Sequence, residues 1–226
     1  MRRFFQKTEG FFLRNRESVI TFILAVACIF LYSFFPVSTG PQKIFSNITF
    51  LLIIPALYIK IILKKKLKDF GLQAGDWKKG VFWSIFFLAI LIAILYLAFN
   101  YTDLAQKYQV NGYAAGDFRF FVGYEILIVG MFLFLYEFFY RGFILFSFSK
   151  KIGMWAILIP AGLFFIFSLI TNNFNWENAN FLVLSLVSGV IAYKSRSIWY
   201  SFITSLVFIA LMDAFWISLN SATKLK

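Results

Sequence analysis

"FLYEFFYRGFIL", residues 134–145, places Glu137 and Arg141 four positions apart in an otherwise apolar run. On a helix that spacing puts both side chains on one face, one turn apart, with the acid nearer the N-terminus. What the pair means depends on its surroundings. The 226-residue chain is 61% hydrophobic and 22% aromatic, with 33 phenylalanines, more than a water-facing surface can hide. Its mean hydropathy is +0.80. Several apolar runs reach about 18 residues or more, the length a helix needs to cross the hydrocarbon core. The composition therefore predicts an all-α, polytopic membrane bundle forming a single domain over 1–226.

Seven spans are expected, at 18–36, 44–63, 81–100, 121–147, 154–171, 181–193 with its flanks, and 198–219. An eighth, half-buried element is a candidate in "FFQKTEGFFL", residues 4–13. The basic stretch at 1–18 precedes an apolar run too long for a signal-peptide core, and no small-x-small site follows. The first span is thus read as retained. Counting Lys and Arg by connection gives 17 on the side of the N-terminus and 5 on the other. The positive-inside bias then places the N-terminus in the cytoplasm and the C-terminus outside. The net charge of +12 accordingly reads as topology, with membrane lipids as neighbours and no nucleic acid as partner.

Three acids fall within the spans, Glu125, Glu137 and Asp213. A charge at mid-membrane is costly enough that such residues face the bundle interior and take partners. At ~1.5 Å per residue, counting up from Lys150, Met154 and Ser197, Glu137, Ser168 and Asp213 share a level ~20–24 Å from the cytoplasmic side. They are expected to converge on one polar cavity open toward the cytoplasmic half. Glu125 lies further out and is expected at the opposite interface, in contact with solvent. A buried ion pair that only fixes packing is the structural alternative for Glu137 and Arg141.

The chain has no histidine. That removes Ser-His and HExxH arrangements and the usual base near neutral pH. An aspartyl intramembrane protease would want a GxGD stretch within a span, whereas "QAGD" at 73–76 and "AAGD" at 114–117 lack the first glycine and sit in loops. With one cysteine, Cys28, no internal disulfide forms, and the thiol reads as a small packing residue. No metal site and no cofactor are expected.

"YEFFYRGFIL" resembles the first motif, Glu-Glu-x-x-x-Arg, of the CAAX-processing and bacteriocin-processing intramembrane protease family. "LKDFGLQAGDWKKGVFWSIF" at 67–86 is similar to that family's cytoplasmic entry into a span. "AGLFFIFSLI" at 161–170 falls where the family has Phe-x-x-x-His, and "YKSRSIWYSFITSLVFIAL" at 193–211 where it has a turn and then His-x-x-x-Asn. The family-like core runs over about 67–213. The resemblance implies a helical membrane endopeptidase in which the first glutamate and first histidine activate water, and the second histidine and the asparagine steady the oxyanion. Carried over by position, the first glutamate is Tyr136, the first histidine Ser168 with Phe164 retained before it, the second histidine Ser205, and the asparagine Ile209. Glu137 and Arg141 remain. The reading that follows is a catalytically silent member in the cell (inner) membrane. Its cavity, lined by Tyr136, Glu137, Arg141, Phe164, Ser168, Ser205, Ile209 and Asp213, binds a transmembrane segment, a lipid, a lipidated peptide or a membrane-enzyme partner. Two alternatives stay open: an active endopeptidase with Glu137 as catalytic base, and a small-solute or proton pathway.

Overall fold

The computed structural model describes residues 2–102, 117–170 and 179–223, and side chains over 16–102, 117–170 and 181–218. The described residues form helices and turns, with no strand among them. In chain order these are α1 (Arg2–Phe34), α2 (Gly40–Ile62), a short turn of helix at Leu67–Phe70, and α3 (Trp77–Tyr101). There follow α4 (118–152), α5 (153–170), α6 (Ala179–Ser195) and α7 (Ile198–Thr223). Five stretches are long and apolar enough to cross a membrane: Arg16–Phe34, Gly40–Ile62, Trp77–Tyr101, Phe118–Ile170 and Ile198–Ser218. The longest of these is interrupted at Gly153, whose φ of 59° and ψ of −132° end α4 and start α5. The helix over 181–195 is apolar but short. The segment 4–13 continues α1 without a break, so it is not a separate element.

Three helix starts have a local cause in their caps. Thr39 caps α2 with its side chain on the Gln42 amide while Gln42 answers on the Thr39 amide, and proline occupies the first turn. Asp76 caps α3 through the Lys79 amide, and Asp117 caps α4 through those of Arg119 and Phe120. Several turns are wide, with i→i+5 geometry, at Thr49–Ile53, Tyr58–Ile62, Glu125–Val129 and Glu137–Leu145. Such turns are uncommon and recur at functional sites. Every residue of the last one is buried. It forms the axis of the bundle, touched by α1, α2, α5, α6 and α7. α3 stands on the far side against α6 and α7.

The basic residues gather at one end. Lys65 pairs with Glu17, and a small crevice there is lined by Glu17, Lys65, Lys150 and Lys151. At the same end the loop 71–76 docks on the α6–α7 turn. The Asp76 amide donates to Ser195 O at 2.7 Å and the Ile198 amide to Gly71 O at 3.0 Å, while Gln73 Nε2 donates to Arg196 O at 3.1 Å. Gly75 makes the approach possible. Its φ is +62°, and an added Cβ would lie 2.2 Å from Ser195 O. Gly75→Ala is therefore expected to cost at least ~1–2 kcal/mol from the left-handed backbone alone. Gly162→Ala, in open space within α5, is expected to be neutral or slightly stabilising. Melting of the two variants in detergent checks the contrast.

Candidate functional site

A cavity of about 930 Å³ opens beside the axial turn, lined from α1, α2, α4, α5, α6 and α7. All eight residues singled out from the sequence line it: Tyr136, Glu137, Arg141, Phe164, Ser168, Ser205, Ile209 and Asp213. The walls are mostly apolar, with Ile29, Phe132, Leu133, Phe167, Phe181 and Leu184 among them. At its outer reach the lining includes Ser33, Phe35, Val37 and Lys43 at the α1–α2 corner, together with Tyr124. Val37 and Lys43 are exposed. The mouth thus lies away from the lysine-rich end, whereas the sequence reading opens the cavity toward the lysine-rich side. The docked 71–76 loop and the buried α6–α7 turn close the lysine-rich end, with Ser195 and Ser197 fully buried.

Glu137 and Arg141 sit on the cavity floor, 2% and 6% exposed. Arg141 Nη1 lies 3.6 Å from Glu137 Oε1, and Nη2 donates to Ser185 O at 2.9 Å. Ser201 Oγ donates to Glu137 Oε2 at 2.6 Å, and Ser205 Oγ to Oε1 at 3.3 Å. Ser205 also shares a hydrogen bond with Ser188 Oγ at 2.9 Å. Both carboxylate oxygens are held from one helix besides their own, α7.

Tyr136 is held from another side. Its hydroxyl shares a 2.8 Å hydrogen bond with that of Tyr32 on α1. Its ring lies parallel to Tyr140, 5.9 Å between centroids, and Tyr140 stands edge-on to Phe164. This tyrosine is a packed aromatic with its one polar atom satisfied. Ile209 adds no polar group.

Asp213 shares the cavity but not the depth of Glu137. Glu137 is level with Ser201 and Ser205, and Asp213 lies eight residues beyond Ser205, ~12 Å further along α7. The common level expected from the sequence fails because Lys150 and Ser197 are not level starting points: the α6–α7 turn is tucked inside, under the 71–76 loop. Asp213 instead neighbours Glu125, close enough for the two acids to interact electrostatically. Glu125 is 3% exposed, and neither of its oxygens meets a donor among the described residues. The solvated interfacial position expected for Glu125 is thus overturned. The wide turn at Glu125–Val129 packs on α7 and turns the acid inward.

Sequence reasoning missed Ser185, Ser188 and Ser201, which hold the floor, and Tyr32, Ser46 and Asn47, which line the cavity from α1 and α2. A signal existed for one of them. Ser201, Ser205, Ile209 and Asp213 recur every four residues, a slowly turning stripe along α7.

Residues 119–211 match the family model described as type II CAAX prenyl endopeptidase Rce1-like. The family resemblance is borne out over that segment, which contains seven of the eight cavity positions; Asp213 lies two residues past its end. The likeness read at 67–86 falls outside it. No curated protein and no solved structure matches the chain.

Proposed function

We propose that this protein is a catalytically silent relative of the prenyl endopeptidases that binds a lipidated or membrane-embedded chain in its cavity. One observation carries the reading: the remaining acid, Glu137, has both oxygens occupied by Ser201 and Ser205 and a guanidinium alongside. A carboxylate so held is a packing and shape-determining group. Activating a water needs a lone pair turned toward it and a partner that accepts or positions the proton, whereas Glu137 is turned toward Ser201, Ser205 and Arg141. At the positions of the family's base pair stand Tyr136, bonded to Tyr32, and the neutral hydroxyl of Ser168. At the oxyanion positions stand Ser205, already donating to Glu137, and apolar Ile209. What persists is the container, long, mostly apolar, with a polar floor. Its volume is within the ~300–1,000 Å³ of ordinary ligand sites.

The topology proposed with it is seven spans in the cell membrane of a prokaryote, lysine-rich end in the cytoplasm, N-terminus inside and C-terminus outside. The cavity mouth then faces the outer half. The test uses the reconstituted protein with a fluorescent prenylated peptide and, separately, a leader-bearing peptide. The expected outcome is saturable binding without cleavage products by mass spectrometry. Ser168→Phe, which narrows the cavity, should weaken binding about tenfold, a loss of ~1.4 kcal/mol. Absence of binding to either peptide, or proton flux in proteoliposomes that Glu137→Gln abolishes, would overturn the reading.

A further inference from the structure

The buried acids of the cavity are not compensated alike. Glu137, on the floor, has Arg141 alongside and a serine hydroxyl on each oxygen. Further out, Asp213 lines the cavity from α7 with a second acid, Glu125 of α4, as its neighbour. The two are 6% and 3% exposed, and neither oxygen of Glu125 meets a donor among the described residues. Lys43, the one lysine of the cavity lining, is exposed at the mouth and makes no ion pair among those residues.

The opposite wall is short of the same kind of partner. Ser46 Oγ and Asn47 Oδ1 belong to side chains that line the cavity from α2, 4% and 1% exposed, and meet no partner among the described residues. The first turns of α2, 40–48, pack on 130–136 of α4, between Glu125 and Glu137. Outward of the floor, the unmet polar atoms are thus oxygens, and the one orphaned nitrogen, Arg141 Nε, belongs to the floor. Around Asp213 the surroundings are apolar: Val129, Leu133 and Phe181 pack with Ile209 and Met212 of the same stretch of α7. Between such walls an opposite charge is screened far less than in water, and a hydrogen bond to an ionised group is the stronger kind. A group that answers both needs carries a positive charge and N–H donors.

We propose that the cavity takes a ligand with a primary ammonium, held at Asp213 with Glu125 beside it, and an apolar chain against Leu133, Phe167 and Phe181. The inference rests on the reading of the cavity as a binding site and adds the charge of what it binds.

The test titrates the full-length protein, in a neutral detergent at neutral pH, with dodecylammonium and with dodecanol, and reads the bound fraction by native mass spectrometry. The ammonium should bind about tenfold or more tightly than the alcohol. Asp213→Asn should abolish that preference and Glu125→Gln should lower it severalfold, with melting of both variants to check that they fold. Glu17→Gln, an exposed acid at the opposite end, should leave it unchanged. Equal affinity for the two amphiphiles would mean that the acids need no cation; it overturns the inference and leaves the cavity as a site for apolar chains. A preference that survives Asp213→Asn or Glu125→Gln, or that falls equally in Glu17→Gln, overturns it too. Dodecyltrimethylammonium, charged but without N–H donors, should bind more weakly than dodecylammonium, and equal binding of these two cations would overturn the assignment to a primary ammonium. Binding of neither dodecylammonium nor dodecanol overturns the reading of the cavity together with the inference.

Discussion

Arg141→Ala is expected to destabilise the protein by about 3–5 kcal/mol, the cost of leaving one member of a buried ion pair without the other. Three losses coincide. Glu137, 2% exposed, keeps its Ser201 and Ser205 donors but loses the only cation near it among the described residues. Ser185 O loses the 2.9 Å donor that ties α6 to the axial turn. The space of a long side chain is left at the cavity floor. Glu137→Gln should cost less, about 1–3 kcal/mol, because the amide keeps its shape and an oxygen for Ser201 to donate to. Its penalty is an arginine with a carbonyl partner and no counter-ion. The double variant Glu137→Gln with Arg141→Met should recover most of the Arg141→Ala loss, since no charge is then buried. Melting in one detergent at one pH orders the three. An Arg141→Ala variant as stable as the parent would remove the pair from any account of the fold.

The helical character was legible because it is written in composition and run length, which a bilayer makes nearly decisive. The pairing of Glu137 with Arg141 was legible too, because it is local, four residues on one face. The depth of Asp213 was not. It depended on where α7 starts relative to α4, and that offset is set by the 71–76 loop wedged against Ser195 through a glycine of positive φ. Nothing in the apolar pattern of either helix records it. The same offset hid the partnership of Glu125 with Asp213. Wide turns were also invisible, since the residues of Glu137–Leu145 suit ordinary helical turns equally well. The Tyr32–Tyr136 hydrogen bond joins residues 104 apart, and sequence reasoning offered no reason to link them.

The wild-type protein is expected to leave prenylated and leader peptides intact, and Tyr136→Glu alone is expected not to change that. The substitution returns a carboxylate to the position where the family's water-activating glutamate belongs. Here, though, that position is an aromatic contact: the new group would replace a hydroxyl bonded to Tyr32 at 2.8 Å and a ring stacked on Tyr140. It would also stand one residue from Glu137, adding a second acid to a floor with one arginine. Ser168, at the position of the family's first histidine, is a hydroxyl whose basicity is far below that of an imidazole. Even a correctly placed hydroxide would attack without oxyanion donors, and one such donor is worth about 10²–10³ in rate. Ser205 cannot turn to that task without abandoning Glu137 and Ser188. Residues that act as a unit fail as a unit, so partial repair gains nothing measurable. Tyr136→Glu combined with Ser168→His, Ser205→His and Ile209→Asn restores every altered position, and it alone among these variants is expected to release product. Its cost falls on stability, since Ser205→His breaks the Ser188–Ser205–Glu137 chain. Melting and product detection by mass spectrometry on the same preparations separate a variant that cannot fold from one that folds and stays silent. Wild-type cleavage that disappears in Glu137→Gln would reverse the account and make Glu137 the base.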